Sequence, residues 1–212
     1  VTLELSLGLR RTTDLDLATL GCSGFSAAPA TVALSEDIRT VLHQGGRPLG
    51  HGELSAHGLT TLTAWNATAR RLLDAASDDF GCSFLVRHLH DPRLPRTIQI
   101  RPKAGTASEW LGHPLLFTRL HAAACQVFGT TDAVFHCLSE DCVVATCGPV
   151  LSAELAPALH SLGVTVDSDY SFTDLSFHQG FPVTLGLWDE EPAKEPRVTV
   201  AVEQSARARI SP

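Results

Sequence analysis

Residues 135–148 read FHCLSEDCVVATCG and bring His136, Cys137, Cys142 and Cys147 within twelve positions. Thiolate and imidazole are the ligands of structural zinc, and closely spaced thiols are the material of redox couples. The spacing fits neither chemistry well. Structural zinc is usually held by two closely spaced pairs, and a redox couple is usually CxxC, which occurs nowhere in the chain. Cys137 and Cys142 are five apart, so a four-residue turn would set them opposite each other across a hairpin. Cys147 lies five further on and should point to the other sheet face from Cys142. The reading that needs no ligand is a central strand pair buried on both faces, with Val134, Phe135, Cys137, Val143, Val144 and Ala145 in the interior. Zinc or a regulated thiol pair are its rivals.

A second set is HLHD at 88–91. His88 and His90 stand two apart on a strand and therefore share a face, a spacing that binds a metal when a third ligand arrives from elsewhere. His136 is the candidate third ligand. The competing reading is a sheet face, begun by Phe84 and Val86, running out to its solvated end. No metal or other cofactor is expected on balance.

The third set is cationic. Arg87, Arg93, Arg96, Arg101 and Lys103 meet only Asp91 within the same stretch. Such a cluster suits a small anionic ligand or an acidic protein surface. Alternation turns Arg87 away from His88, which leaves Arg93, Arg96, Arg101 and Lys103 as the expected contact residues. The alternative is a solvated hairpin, or one paired with acids elsewhere in the chain.

Nucleophile and phosphate motifs are missing. GCSGF at 21–25 is one position short of a nucleophile elbow, and no P-loop, dinucleotide fingerprint or HExxH occurs. Glu140-Asp141 and Asp189-Glu190-Glu191 fall in expected turns, where solvation accounts for them.

The elements that must position these groups are legible from periodicity. Leu3, Leu5, Leu7 and Leu9 predict an opening strand, and GCSGFSAAPA a loop. Ser35 is read as the N-cap of a short helix carrying Ile38, Val41 and Leu42 and closed by Gly45-Gly46. Leu59, Leu62, Trp65, Ala69, Leu72, Leu73 and Ala76 predict one helical face. CSFLVRHLHD and RTIQIRPK predict a strand pair around DPRLP. A helix follows from Pro114 to Gly129, then the hairpin, then a helix over 152–162 despite Pro157. FPVTLGLW and RVTVAVE predict late strands, and SARARISP a frayed tail. The fold class expected is α+β, a largely antiparallel sheet with three to four packed helices. A helical N-terminal part, residues 1–80, is expected to pack on a sheet-rich part, residues 81–212, as one cooperative domain.

The chain has 212 residues and a net charge of −7. Residues 1–106 carry +1 and residues 107–212 carry −8. The acidic half disfavours general nucleic-acid binding, which needs a dense basic surface. No apolar run reaches the ~18 residues of a membrane span. The opening VTLELSLGLRRTTDLDL has neither a basic n-region nor a cleavage site, so six reduced cysteines and a cytoplasmic location are expected. Lys103 and Lys194 are the only lysines, an arginine bias typical of high-GC bacterial genomes.

Trp65, Ala69 and Leu73 in AWNATARRLL form a W-x-x-x-A-x-x-x-L helix. It precedes a strand pair, a helix after ASEWLGHP, and the hairpin VFHCLSEDCVVAT. Over residues 55–147 this resembles a class of uncharacterised, high-GC (actinobacterial) α+β proteins. Those carry a polar residue and an Arg at the turn of the second hairpin, where Ser139, Glu140 and Asp141 stand here. The resemblance implies the fold class and a bacterial origin, and no activity.

With no motif of known mechanism, the expected function is a non-catalytic binding or regulatory module for an unknown protein partner or small anionic ligand. The alternatives are a metal-dependent hydrolase or metal-binding protein using His88 and His90, and an immunity-like protein that neutralises one partner.

Overall fold

Leu5, Leu7 and Leu9 are buried on one side of the first strand, β1 (Leu5–Arg11), as their alternation predicts. The computed structural model describes residues 3–15, 24–79, 81–150, 152–164, 166–167 and 172–185. β2 (Thr31–Ala33), β3 (Ile38–Gln44) and β4 (Arg47–Pro48) join β1 in a small antiparallel sheet of order β1-β3-β2, with β4 hydrogen-bonded to β3.

β3 replaces the helix expected over 35–44. Ile38, Val41 and Leu42 fit a helical face, but they fit equally a strand buried on both sides, and seven residues are too few for period to decide. The flanks decide. Leu34 N–H donates to Ile38 C=O at 2.9 Å, and Ser35 Oγ donates to Asp37 at 3.0 Å, which folds residues 34–38 into a turn. Gly45 and Gly46 both have positive φ (58° and 83°), the conformation of a two-residue hairpin turn, not of a helix end. The described part of the first 80 residues therefore holds a small sheet as well as helices.

α1 (His51–Ala56) is short. α2 (Thr61–Ala76) starts where Thr60 and Thr63 cap each other: Thr63 N–H donates to Thr60 Oγ1 at 3.1 Å, and Thr60 N–H donates to Thr63 Oγ1 at 2.9 Å. Its buried face is Ala64, Trp65, Thr68, Ala69, Leu72 and Ala76, while Leu62 turns to solvent. Trp65 Nε1 donates to the Gly112 carbonyl at 2.8 Å, and Thr40 Oγ1 donates to the same oxygen at 2.6 Å. One carbonyl thus ties α2 and the small sheet to the turn before the next helix.

A miniature hairpin, β5 (Ser77–Asp78) and β6 (Gly81–Cys82), leads into the large sheet. Three hairpins build that sheet: β7 (Phe84–Leu89) with β8 (Thr97–Pro102), β9 (Val134–Ser139) with β10 (Cys142–Thr146), and β11 (Phe172–His178) with β12 (Phe181–Thr184). All neighbours are antiparallel, in the order β12-β11-β9-β10-β8-β7. α3 (Pro114–Phe128) lies between the first two hairpins in sequence, with Pro114 in its first turn and Gly129 closing it at φ 68°. α4 (Ser152–Ser161) lies between the second and third and accommodates Pro157 on its exposed side. The fold class is α+β.

The two faces of the large sheet are covered differently. Phe135, Cys137, Val143, Ala145, Ile98 and Ile100 belong to the main core, with α2, α3 and the small sheet. Leu138, Cys142, Val144 and Leu89 point the other way and pack under α4 in a second cluster. The main core runs from Leu5 to Leu175 without a break near residues 77–80. RVTVAVE, the terminal SARARISP and Cys22 lie outside the described residues.

Candidate functional site

The central hairpin is an interior element. Every residue of β9 and β10 except Ser139 is buried. A bulge shifts the register so that Cys142 faces Ser139 and Val143 faces Cys137. The two thiols therefore sit on opposite sheet faces, a correction to the expected cross-strand pair, while Cys142 and Cys147 do diverge as alternation requires. Burial raises the thiol pKa of Cys137 far above the ordinary value and that of Cys142 in the same direction. The five described cysteines are all free.

The histidines do not converge. His136 on β9 is fully buried, and both ring nitrogens are engaged. Asp174, at φ 58° in a bulge of β11, donates its N–H to Nδ1 at 3.2 Å. Nε2 then carries the proton and donates to Thr146 Oγ1 at 3.2 Å, which in turn donates to the Gly148 carbonyl at 2.7 Å. Burial lowers the His136 pKa to about 4, although the Asp174 carboxylate lies 4.0 Å from Nδ1 and acts in the opposite direction. His88 and His90 lie on and just beyond β7, exposed, with near-parallel rings 6.2 Å apart. They help line a cavity of about 440 Å³ with Arg96 and Phe128. Three strand spacings, about 14 Å, separate β7 from β9. Among the described residues no group of three or more His, Cys, Asp or Glu could hold a metal ion.

The four expected contact cations are split into two pairs. Arg93 chelates Asp91 through Nε (2.8 Å) and Nη2 (2.6 Å), and Nη2 also donates to Ser161 Oγ at 3.2 Å. The Arg93 side-chain hydrogen bond, then its backbone N–H, holds the Asp91 carboxyl well below the usual carboxylate range. Arg96 donates to the Phe128 and Val127 carbonyls at 2.5 and 3.0 Å, capping the C-terminus of α3, and its guanidinium lies 5.6 Å from the Phe128 ring centre. Both arginines thus fasten the β7–β8 loop to helices. Arg101 and Lys103 lie toward the other end of the hairpin, five and seven residues, or about 17 and 23 Å, from Arg96 along an extended strand. Both are exposed, and neither side chain has an ion pair or hydrogen bond among the described residues.

Around that second pair lies a feature that the sequence did not disclose. Ser83, Phe84, Leu85, Arg101, Pro102, Lys103 and Gly105 line a cavity of about 400 Å³. Its inner wall is fixed: Phe84 meets the buried Trp110 edge-on, ring centres 5.0 Å apart, and Trp110 Nε1 donates to the Ala104 carbonyl at 2.9 Å. Its outer lip is Leu85, 70% exposed. Leu85 sits opposite Arg101 across the strand pair, and Arg87 is two residues further along the same face. The signal in the sequence was the run FLV entering a strand that turned out to lie at the sheet edge. Edge position depends on distant pairings, so the run alone did not reveal it.

No family model matches the chain, nor does any curated protein or any solved structure. No helix of the described residues is long and apolar enough to cross a membrane.

Proposed function

We propose that the protein is a non-catalytic binding module that takes an acidic protein partner at the Leu85 end of the β7–β8 hairpin. One observation carries this reading: Arg101 and Lys103 stay exposed and without side-chain partners among the described residues, beside a cavity with apolar walls, in a chain of net charge −7. Arg47 and Arg93 pair with acids, whereas the exposed Arg70 and Arg119, like Arg101 and Lys103, have no hydrogen bond or ion pair among the described residues. Arg101 and Lys103 are set apart by the exposed Leu85 and the apolar-walled cavity beside them, the composition of a recognition surface. Arg93 and Arg96 serve this site indirectly, by fixing the far end of the hairpin. A cytoplasmic location and a bacterial source belong to the same proposal. Free cysteines support the first, and the arginine bias supports the second.

The test is a titration with a labelled poly-glutamate peptide at low and high salt, using wild type and the R101E/K103E variant. Binding that weakens with salt and disappears in the variant supports the reading. Equal binding by both proteins defeats it.

A further inference from the structure

Sheet edges carry rows of unpaired backbone groups, and proteins commonly blunt them with short strands, proline, charges or covering elements. Three edges of this fold are blunted. β1 turns its outward groups to side chains: Leu7 N–H donates to Glu109 at 3.0 Å, and the Leu5 carbonyl accepts from Arg71 at 2.6 Å. β2 has three residues only. β12 has four, and places Pro182, which has no N–H, opposite Phe177. The Leu185 N–H to Asp174 carbonyl bond shows that Ser176 and Val183 exchange the inner bonds, so the missing donor of Pro182 is on the outer side.

β7 is six residues long and carries no proline; its one permanent charge, Arg87, donates to the Leu162 carbonyl at 3.3 Å on the α4 face, and no described residue hydrogen-bonds along its outer side. Lys103 N–H donates to the Ser83 carbonyl at 3.3 Å, which sets the phase of the β7–β8 ladder. Leu85, Arg87 and Leu89 then bond inward to β8, and Phe84, Val86 and His88 turn their N–H and C=O outward. No hydrogen bond from a described residue reaches the outward groups of Val86 and His88. The side chains are open too. Residues 85–88 are exposed in a row, on both sheet faces, beside a strand that is mostly buried.

We infer that β7 is a strand-addition edge, which an extended acidic segment of a partner protein joins as a seventh strand. This rests on the binding-module reading above and specifies its mode. Backbone pairing to Val86 and His88 supplies orientation, as in other strand additions, and side chains supply specificity. On the α4 face the added strand meets Arg87, Arg101 and Lys103, with Leu85 to cover aliphatic stems. On the other face it lies beside Val86, 36% exposed. The fitting sequence therefore alternates acidic with apolar residues. A second copy of this chain fits less well. Two-fold pairing of β7 with itself would continue the α4 face across both copies and put two sets of three cations on one surface, with no acid on β7 or β8 to offset them.

The experiment uses a labelled Glu-Val-Glu-Leu-Glu-Val-Glu peptide, the same peptide N-methylated at alternate amides, and three proteins: wild type, V86P and R101E/K103E. The V86P change removes an outward N–H and leaves the bonds to β8 in place; a melting curve checks its fold. We expect wild type to bind the unmodified peptide and to lose about tenfold or more on either backbone change, N-methylation or V86P. N-methylation keeps the test valid should V86P not fold. If the N-methylated peptide binds as well and only R101E/K103E loses affinity, strand addition falls and the acidic-partner reading stands. If R101E/K103E binds like wild type, that reading falls. Dimerisation of wild type through β7, abolished by V86P, would overturn the choice of partner.

Discussion

The small sheet and the large sheet each present a long edge strand, and they finish those edges in opposite ways. The outward groups of β1 are met from inside the fold by Glu109 and Arg71. Those of Val86 and His88 in β7 meet no partner among the described residues, and exposed Leu85, Arg101 and Lys103 stand near them. Glu109 is the clearer half of the contrast. The residue is 4% exposed, and its carboxylate accepts from Leu7 N–H and from Thr106 N–H at 2.7 Å. A buried carboxylate is costly unless fully hydrogen-bonded, so its presence marks an edge that the fold has closed. An open edge with exposed apolar side chains invites aggregation, and its persistence beside Arg101 and Lys103 is the physical argument behind the proposed partner.

The largest effect that would sharpen the comparison is loss of the plug. Glu109→Ala should destabilise by about 2–5 kcal/mol, because the buried Leu7 amide and the half-buried Thr106 amide lose their acceptor at once. Glu109→Gln, which keeps an acceptor for one of them, should fall between. A denaturant midpoint unchanged in E109A would show that β1 is as open as β7.

Acid comes next, and it acts on the interior, not on the open edge. His136, with its pKa lowered from 6.5 to about 4 by burial, is neutral in the fold and takes up a proton on unfolding. His113 is lowered to about 4 as well, by burial first and by nearby Arg70 second; its Nδ1 accepts the Leu115 N–H and caps α3. For each, the stabilising contribution is fully present above 6.5 and is lost as pH falls from 6.5 toward 4, at up to about 1.4 kcal/mol per pH unit. His136→Gln should flatten the pH dependence of the melting temperature in that window. A flat profile in the wild type would contradict the burial of both rings.

Cys137→Ala should cost only about 1 kcal/mol, since little volume leaves the core. Zinc bound stoichiometrically by wild type and lost in C137A would show that the interior hairpin has a chemistry its geometry does not express. The smallest effect belongs to the open edge. R101E/K103E should shift stability by less than about 1 kcal/mol, because exposed charges contribute little to the fold. A larger loss would mean that these cations are paired within the fold, and the contrast between the two edges would fail.

Much of this architecture can be read from local pattern. The periodic run from Leu59 to Ala76 marks α2, Pro114 and Gly129 bracket α3, and two apolar runs around Ser139–Asp141 define the central hairpin. The expected fold class is the one observed. Local pattern misjudged 38–44, where a face readable as helical also fits a strand buried on both sides. It also grouped Arg93 and Arg96 with Arg101 and Lys103, because proximity in sequence does not show that Arg96 meets a helix end 31 and 32 residues away. The open edge itself was out of reach. Which strand ends a sheet follows from pairings among hairpins far apart in the chain, and no single stretch records that order.

The contrast between the edges can be measured amide by amide. Native-state hydrogen exchange compares Leu7, whose outward N–H is held by Glu109, with Val86 and His88, whose outward N–H groups receive no hydrogen-bond partner from the described residues. We expect the Leu7 amide to be protected close to the level of global unfolding and those of Val86 and His88 to exchange near the rate of an open chain. Strong protection at Val86 and His88 in the isolated protein would mean that the edge is already covered, and would contradict the open-edge account.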